Sequence, residues 1–332
     1  MTRVLIGPAR NVPVPAPNLP VCAFRLQAAG TWPQHACMDN QLNELRSLAA
    51  TAENRRTETG IPRVAMVQGE IPEHMLAAVY DPMINVILQG SKSMTVGDRT
   101  LRYDPATYFV MSIELPAVGS VHPAESGEPY LAVSLTLDPV VLSALFSDLP
   151  KPASRIDSNP GFSVASMTSD LMDAWVRMLR LMGDPDAIAV LAPVYEREII
   201  FRVLQGPHGW MLREIAAPDS AMARVNMAIQ WIRRDFAQPI GVERLAERAS
   251  MSVSAFHRHF KAVTNLSPLQ YQKRVRLLQA RTLMVASAKS VMTAAYEVGY
   301  ESATQFSRDY AKVFGLPPAQ DANRILGRTR AR

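Results

Sequence analysis

The sequence predicts an α+β protein, with an N-terminal antiparallel β-barrel and covering helices followed by an all-α region of two helix-turn-helix modules. Three observations carry this prediction. One pattern of apolar and basic residues occurs twice in the C-terminal part, a period-two pattern begins near Val64, and basic residues are concentrated in the last third of the chain. A pattern repeated at fixed spacing indicates duplicated structural units, and alternation with closely spaced turns indicates antiparallel strands.

The repeat lies between Ile240 and Pro318, with a constant offset of 50 from Phe256 onward. The matched pairs are Phe256 with Phe306, Arg258 with Arg308, Phe260 with Tyr310, Val263 with Val313, Leu266 with Leu316, Pro268 with Pro318, Gln270 with Gln320 and Arg274 with Arg324. In each copy, apolar residues at helical spacing predict a short helix, a tight turn and a longer helix. Ser252 or Ser254 is expected to cap the longer helix of the first copy.

The longer helix of each copy carries polar residue types that can read DNA. Its apolar stripe is expected to be buried, which leaves the opposite face to solvent. Arginine recognises guanine, glutamine recognises adenine, and serine or threonine can contact bases or phosphates. The candidate DNA-binding residues are Ser254, His257, Arg258 and Lys261 in the first copy and Thr304, Gln305 and Arg308 in the second. For the two arginines, a phosphate contact or an intramolecular ion pair remains an alternative.

Residues 224–326 resemble the DNA-binding domain of the AraC/XylS family of bacterial transcription factors. The segment from Ala294 to Pro318 carries the resemblance, with its Ala-x-x-Val-Gly-Tyr text, Phe306-Ser307-Arg308, Phe314-Gly315 and the following proline. The resemblance implies two modules joined rigidly by one long helix, here Pro268 to about Ala286. It also implies double-stranded DNA as a partner, and RNA polymerase as a further partner if the protein is an activator.

Charge is distributed unevenly along the 332 residues. Residues 221–332 contain 18 Lys and Arg against 7 Asp and Glu, a net charge of +11, whereas the remainder has 17 against 23 and a net charge of −6. A basic C-terminal third indicates a polyanionic partner and favours DNA over a membrane. The two cysteines, Cys22 and Cys37, predict neither a disulfide framework nor a zinc site. No apolar run approaches ~20 residues, so we expect a cytoplasmic protein.

The chain is expected to divide into five parts. Residues 1–37 are proline-rich without a sustained period, which predicts a disordered leader. An alternative is that translation begins at Met38, because Asp39-Asn40-Gln41-Leu42 opens a helical pattern directly behind it. The other parts are a sensing and dimerisation domain (38–205), a linker (206–220), a DNA-binding domain (221–326) and a basic tail (327–332).

The predicted strands lie between Val64 and Leu137. They are Val64–Gln68, Asn85–Leu88, Ser91–Val96, Arg99–Tyr103, Thr107–Met111 and Tyr130–Leu137. Closing them into a barrel would leave an interior able to hold a small ligand. Residues 61–137 also resemble the cupin-like N-terminal domain found in one branch of the same family, notably in Val86 to Gly90 and in Gly97-Asp98. The resemblance implies a cupin-like barrel that senses a small-molecule effector, whose identity and binding residues are unknown.

The chemistry of a metal-dependent cupin is not expected. Such cupins use a His-x-His pair with further Glu and His ligands, whereas His74 and His122 stand alone. His122 with Glu125 does not make a coordination sphere. We therefore expect no metal, no cofactor and no catalytic residue. A cupin enzyme with an accessory DNA-binding domain and a constitutive regulator whose barrel only dimerises remain alternatives.

Two amphipathic stripes follow Asp138-Pro139. They consist of Met167, Leu171, Trp175, Met178 and Met182, and of Ile188, Leu191, Tyr195, Ile199 and Val203. Helices with these stripes would cover the barrel, and the family resemblance suggests that one of them also pairs two subunits of a homodimer. The expected function is that of a sequence-specific DNA-binding transcription factor regulated by a small molecule.

Overall fold

A computed structural model describes residues 32–71, 76–149, 160–217 and 219–327, with side chains from Cys37 onward. The first helix, α1 (Trp32–Leu48), begins seven residues before Asp39, where the sequence pattern predicted its start, so residues 32–37 of the predicted disordered leader are helical. The rest of the predicted leader, residues 1–31, lies outside the described residues, as does the tail from 328.

The described residues contain ten strands, all paired antiparallel. They are β1 (Thr57–Glu58), β2 (Val64–Gln68), β3 (Ala77–Tyr80), β4 (Met83–Gln89), β5 (Ser91–Val96), β6 (Arg99–Tyr103), β7 (Thr107–Met111), β8 (Leu115–His122), β9 (Leu131–Thr136) and β10 (Phe162–Ser166). A six-stranded sheet has the order β1-β2-β9-β4-β7-β10, and a four-stranded sheet has the order β3-β8-β5-β6. The predicted bounds of β2, β5, β6 and β7 are confirmed.

The two sheets face each other and do not close into the predicted barrel. β4 pairs with β7 and β9, whereas β5, next along the chain, pairs with β6 and β8. An irregular register between Ile87 and Gln89 and a φ of 74° at Gly90 lead the chain from one sheet into the other. Side chains alternate with the same period in a sandwich and in a barrel, so the sequence pattern could not distinguish the two.

Four further helices belong to the N-terminal half: α2 (Pro139–Ser147), α3 (Ser169–Arg180), α4 (Pro185–Gln205) and α5 (Gly209–Ala216). α1 packs on β4 and α3, and α3 packs on α4, with Trp175 of α3 fully buried. α5 lies inside the predicted linker 206–220 and buries Met211 and Leu212. The segment between the domains is therefore a packed helix.

The C-terminal half is helical: α6 (Ala221–Arg234), α7 (Val242–Arg248), α8 (Val253–Thr264), α9 (Pro268–Ala286), α10 (Val291–Glu297), α11 (Ala303–Phe314) and α12 (Pro318–Ile325). The long helix α9 has the predicted bounds. Serine side chains accept backbone N–H groups at several helix starts, as N-cap residues commonly do. Ser252, rather than Ser254, caps α8, and Ser302 caps α11.

The described residues form two buried apolar clusters of unequal size. Phe256, Phe260 and Val263 of α8 belong to one continuous cluster with the core of the N-terminal half. A separate cluster is built around α10 and α11 and contains Phe306 and Tyr310. No helix within the described ranges is long and apolar enough to cross a bilayer.

Candidate nucleic-acid interface

The first helix-turn-helix module consists of α7 and α8, and the second consists of α10 and α11. In each module, a tight turn joins the two helices. Ser250 adopts a φ of 51° in the first turn, and Gly299 adopts a φ of 86° in the second. A Cβ atom on Gly299 would lie 1.9 Å from the carbonyl oxygen of Ala237. Only glycine therefore fits, and the turn of the second module packs directly against the loop before α7.

Arg276 of α9 forms hydrogen bonds both to the loop before α7 and to the turn of the second module. Its guanidinium donates to the carbonyl oxygen of Phe236 at 2.7 Å, of Ala237 at 3.2 Å and of Gln238 at 3.0 Å, all in the loop before α7. It also donates to the carbonyl oxygen of Gly299 at 2.9 Å. Sequence reasoning missed this residue, because a side chain that binds backbone carbonyls has no partner motif to reveal it.

The predicted DNA-binding residues lie on the outer faces of α8 and α11. Phe256 and Phe306 are fully buried at equivalent positions on the inner faces. All seven predicted residues are exposed, namely Ser254, His257, Arg258, Lys261, Thr304, Gln305 and Arg308. The structure therefore places them in two equivalent polar surfaces, one on each module.

Arg258 and Arg308 are available as hydrogen-bond donors. Within the described residues, the ion pairs of the C-terminal half belong to other side chains. The guanidinium of Arg258 lies 3.5 Å from Nε2 of His259. Burial, and then the charge of Arg258, lower the pKa of His259, so this ring is neutral near physiological pH and does not repel the guanidinium.

Polar contacts fix the N-terminal domain to the first module. Asn265, the left-handed C-cap of α8, donates from Nδ2 to the carbonyl oxygen of Val96 at 2.8 Å and to Oδ1 of Asp98 at 2.5 Å. The hydroxyl of Tyr271 donates to the carbonyl oxygen of Glu114 at 2.9 Å. In the described part of the chain, the hydrogen bonds between the N-terminal domain and the helical C-terminal half involve residues of α6, of α8 and its C-cap Asn265, or of α9.

A cavity of about 310 Å³ lies between the two sheets. Asn85 and Ala132 line it from the six-stranded sheet, and Tyr80, Lys92 and Val121 line it from the four-stranded sheet. Its volume is at the lower end of the range typical of small-molecule sites. The space between the two sheets is therefore not filled by side chains.

Two histidines were considered as metal ligands in the sequence. His122 is exposed at the end of β8, and His74 lies outside the described residues. The described part of the chain contains no group of three or more His, Cys, Asp and Glu side chains placed to hold a metal ion.

Comparisons with known proteins cover both halves of the chain. A model of the AraC-type transcriptional regulator N-terminus matches residues 60–211, and a helix-turn-helix domain model matches residues 245–324. The HTH-type transcriptional activator RhaS of Escherichia fergusonii is 32% identical over 133 residues, which are 39% of this chain and 46% of RhaS. RhaS of Klebsiella pneumoniae is 34% identical over 128 residues, which are 38% and 45% of the two chains. The chain spans about half the length of the curated relatives it matches.

Solved structures of ToxT from Vibrio cholerae share the fold. One has a TM-score of 0.52 at 10% identity and covers 78% of this chain and 98% of ToxT. Another, of ToxT bound to (E)-4-(8-methylnaphthalen-1-yl)but-3-enoic acid, has a TM-score of 0.51 at 9% identity with the same coverage. The predicted order of a sheet-rich N-terminal domain and a helical C-terminal domain is confirmed. With an AraC-type N-terminal domain followed by a helix-turn-helix domain, the chain belongs to the AraC family of transcriptional regulators.

Proposed function

We propose that this protein is a transcription factor that binds promoter DNA through both modules and responds to a small molecule held between the two sheets. The observation that carries the proposal is the pair of equivalent exposed surfaces on α8 and α11, each rich in side chains that contact bases and phosphates. The relatives are named as transcriptional activators, and we assign no catalytic role to the chain.

The connection between the modules supports binding to successive major grooves. Helix α9 has 19 residues, which corresponds to a length of roughly 28 Å. One turn of DNA measures about 34 Å, or ~10 bp. Because Arg276 and Gly299 fix both modules to the same loop, the two recognition helices have one relative position. Each subunit is therefore proposed to bind a non-palindromic site of about two turns.

Replacing Arg258 with alanine should relax base preference in one half-site, and replacing Arg308 should relax it in the other, about 10 bp away. Loss of a bidentate contact to guanine costs ~1–3 kcal/mol at that base. Binding-site selection with the purified wild-type protein and each variant measures this preference position by position.

Arg234 provides the matched control. It is an exposed arginine at the end of α6 that pairs with Asp235 at 2.9 Å, so its replacement by alanine should leave base preference unchanged. If the Arg258 and Arg308 variants weakened all sequences equally and lowered the salt dependence of binding, both arginines would be phosphate contacts.

The proposed sensing route runs along β5. Lys92 on this strand lines the cavity, and the strand ends at Val96, whose carbonyl oxygen accepts from Asn265 at the end of α8. A ligand that favours one arrangement of this contact would change DNA binding. ToxT, which shares the fold, has been solved with a small organic molecule bound. Activation through RNA polymerase is proposed because RhaS is named an activator.

A homodimer through α4 is the proposed assembly. Val190 and Val194 lie four residues apart on this helix and are 71% and 55% exposed, so they form an unpartnered apolar stripe. The double variant Val190→Glu and Val194→Glu should sediment as a monomer at concentrations at which the wild-type protein is a dimer. Val140, an equally exposed valine on α2, is the control, because its change to glutamate should not alter sedimentation. A dimer that persists in the double variant would exclude this face.

A further inference from the structure

The cavity between the sheets has a mostly apolar wall. Met66 and Val67 of β2 and Val121 of β8 contribute to it. Gly119 of β8 leaves space for the side chain of Lys92, because a Cβ atom there would lie 3.1 Å from Cε of Lys92. Two polar groups in this apolar setting are not satisfied by the protein.

The first group is the ammonium of Lys92. Its side chain is on the same face of β5 as Met94 and Val96, and only 6% of the residue is exposed. The aromatic ring of Tyr80 is nearby, with its centroid 5.3 Å from Nζ. Burial lowers the pKa of Lys92 to about 8, and no carboxylate contributes to the shift. A buried ammonium without an anionic partner is costly, so this position favours a partner that comes from outside the chain.

The second group is the hydroxyl of Tyr130. It is buried and has no hydrogen-bond partner among the described residues. Its polar neighbours are satisfied: Tyr103 donates to Oδ1 of Asn85 at 2.9 Å, and Nδ2 of Asn85 donates to the carbonyl oxygen of Val133 at 3.1 Å. Buried hydroxyl groups almost always have a partner, so Tyr130 also favours a ligand.

The basic residues at the mouth of the cavity are occupied elsewhere. Arg55 pairs with Glu53 at 2.6 Å, and Arg56 pairs with Glu58 at 2.7 Å. The hydroxyl of Tyr80 donates to the carbonyl oxygen of Leu76 at 2.6 Å. Among the buried polar groups that line the cavity, the ammonium of Lys92 and the hydroxyl of Tyr130 are therefore left to bind a ligand.

We propose that the cavity binds a small organic acid, whose carboxylate pairs with the ammonium of Lys92 and accepts a hydrogen bond from the hydroxyl of Tyr130. The apolar body of the acid packs against the cavity wall. A neutral ligand of the same shape would leave the ammonium unpaired. This inference names the ligand class of the sensing site and rests on the proposed function.

Isothermal titration calorimetry on the full chain tests the proposal. The probes are benzoate, phenylacetate and hexanoate, each compared with its primary amide. At least one acid should bind, and its amide should bind about tenfold or more weakly, because hydrogen bonds to charged groups are the stronger ones. Lys92→Met should weaken acid binding about tenfold or more and leave amide binding unchanged. Tyr130→Phe should cause a smaller loss.

Lys289 is the control, because it is a lysine of the second module that pairs with Glu297 on the surface. Lys289→Met should bind the acids as the wild-type protein does. The proposal is overturned if none of the acids binds at millimolar concentration, if amides bind as tightly as acids, or if Lys92→Met retains acid affinity.

DNA binding measured on the same samples separates this inference from the proposed function. Intact DNA binding without acid binding would overturn the ligand class and leave the DNA-binding function standing. Acid binding that depends on Lys92 but has no effect on DNA affinity would support the ligand class and contradict the sensing role.

Discussion

Replacing Asp321 with alanine is expected to destabilise the second module by about 3–5 kcal/mol. Asp321 is fully buried in α12, and its carboxylate accepts from Nε of Arg281 at 2.9 Å, from the hydroxyl of Tyr310 at 2.9 Å and from Arg324 at 2.7 Å. These partners belong to three helices. Removing the carboxylate deprives the buried guanidinium of Arg281 of this counter-charge and separates α9, α11 and α12.

Urea denaturation followed by circular dichroism measures this effect. Glu297 is the matched control in the same module, because it forms an exposed pair with Lys289, and such pairs contribute only about 0–1 kcal/mol. A loss for Asp321→Ala as small as that for Glu297→Ala would show that the buried network contributes little. We also expect Asp321→Ala to lower DNA affinity, since α11 would lose its support.

The free energy of unfolding is expected to rise with pH above about 8 because of Lys92. Burial lowers the pKa of Lys92 from 10.5 to about 8 in the folded protein. Between these values the unfolded chain holds one more proton than the folded protein, so stability increases with pH. The full gain is about 3 kcal/mol. Above pH 10 the buried Tyr80 and Tyr130, whose pKa values are raised by burial, act in the opposite direction.

Lys92→Met should remove this rise, because methionine keeps the length of the side chain and has no charge to desolvate. At neutral pH the variant should be more stable than the wild-type protein by about 3 kcal/mol. Urea denaturation at a series of pH values compares the two proteins. Parallel profiles would show that Lys92 is solvated in the folded state.

The sequence was most informative where local chemistry decides structure. The bounds of α9, which the family resemblance implied, agree with Pro268 at the first turn of this helix, and Gly97 lies in the turn that joins the paired strands β5 and β6. Gly90 also predicts a hairpin turn, but this prediction is wrong, because β4 and β5 lie in different sheets. β8 was not predicted, because Pro116 and Gly119 interrupt its pattern and only pairing with β3 and β5 holds it in the sheet. Such tertiary pairing leaves little trace in a single sequence.

The cavity residues were missed for a different reason. Lysine is rarely buried in proteins, yet Lys92 shares the parity of Met94 and Val96, which face inward. That parity was a usable signal. The free hydroxyl of Tyr130 had no equivalent signal, since a missing hydrogen bond can be recognised only in the structure.

The repeat also hides one functional difference between its copies. At an offset of 50, Tyr271 corresponds to Asp321. Tyr271 of α9 donates to the carbonyl oxygen of Glu114 in the N-terminal domain, whereas Asp321 of α12 accepts from Arg281 of α9 and from Tyr310 of α11 within the helical C-terminal half. The same position therefore joins two domains in one copy and closes a core in the other.

This difference in anchoring has a consequence for target promoters. The first module shares its core with the N-terminal domain, and the second has a core of its own. Under the proposed function, a ligand between the sheets would act directly on the half-site bound by α8, while the half-site bound by α11 would serve as a constant anchor. Promoters with a strong anchor sequence would be occupied at low effector levels, and promoters with a weak one would require more. The base sequence of each operator would thus determine the effector concentration at which its promoter responds. Different genes could then respond to different concentrations of one effector without a change in the protein.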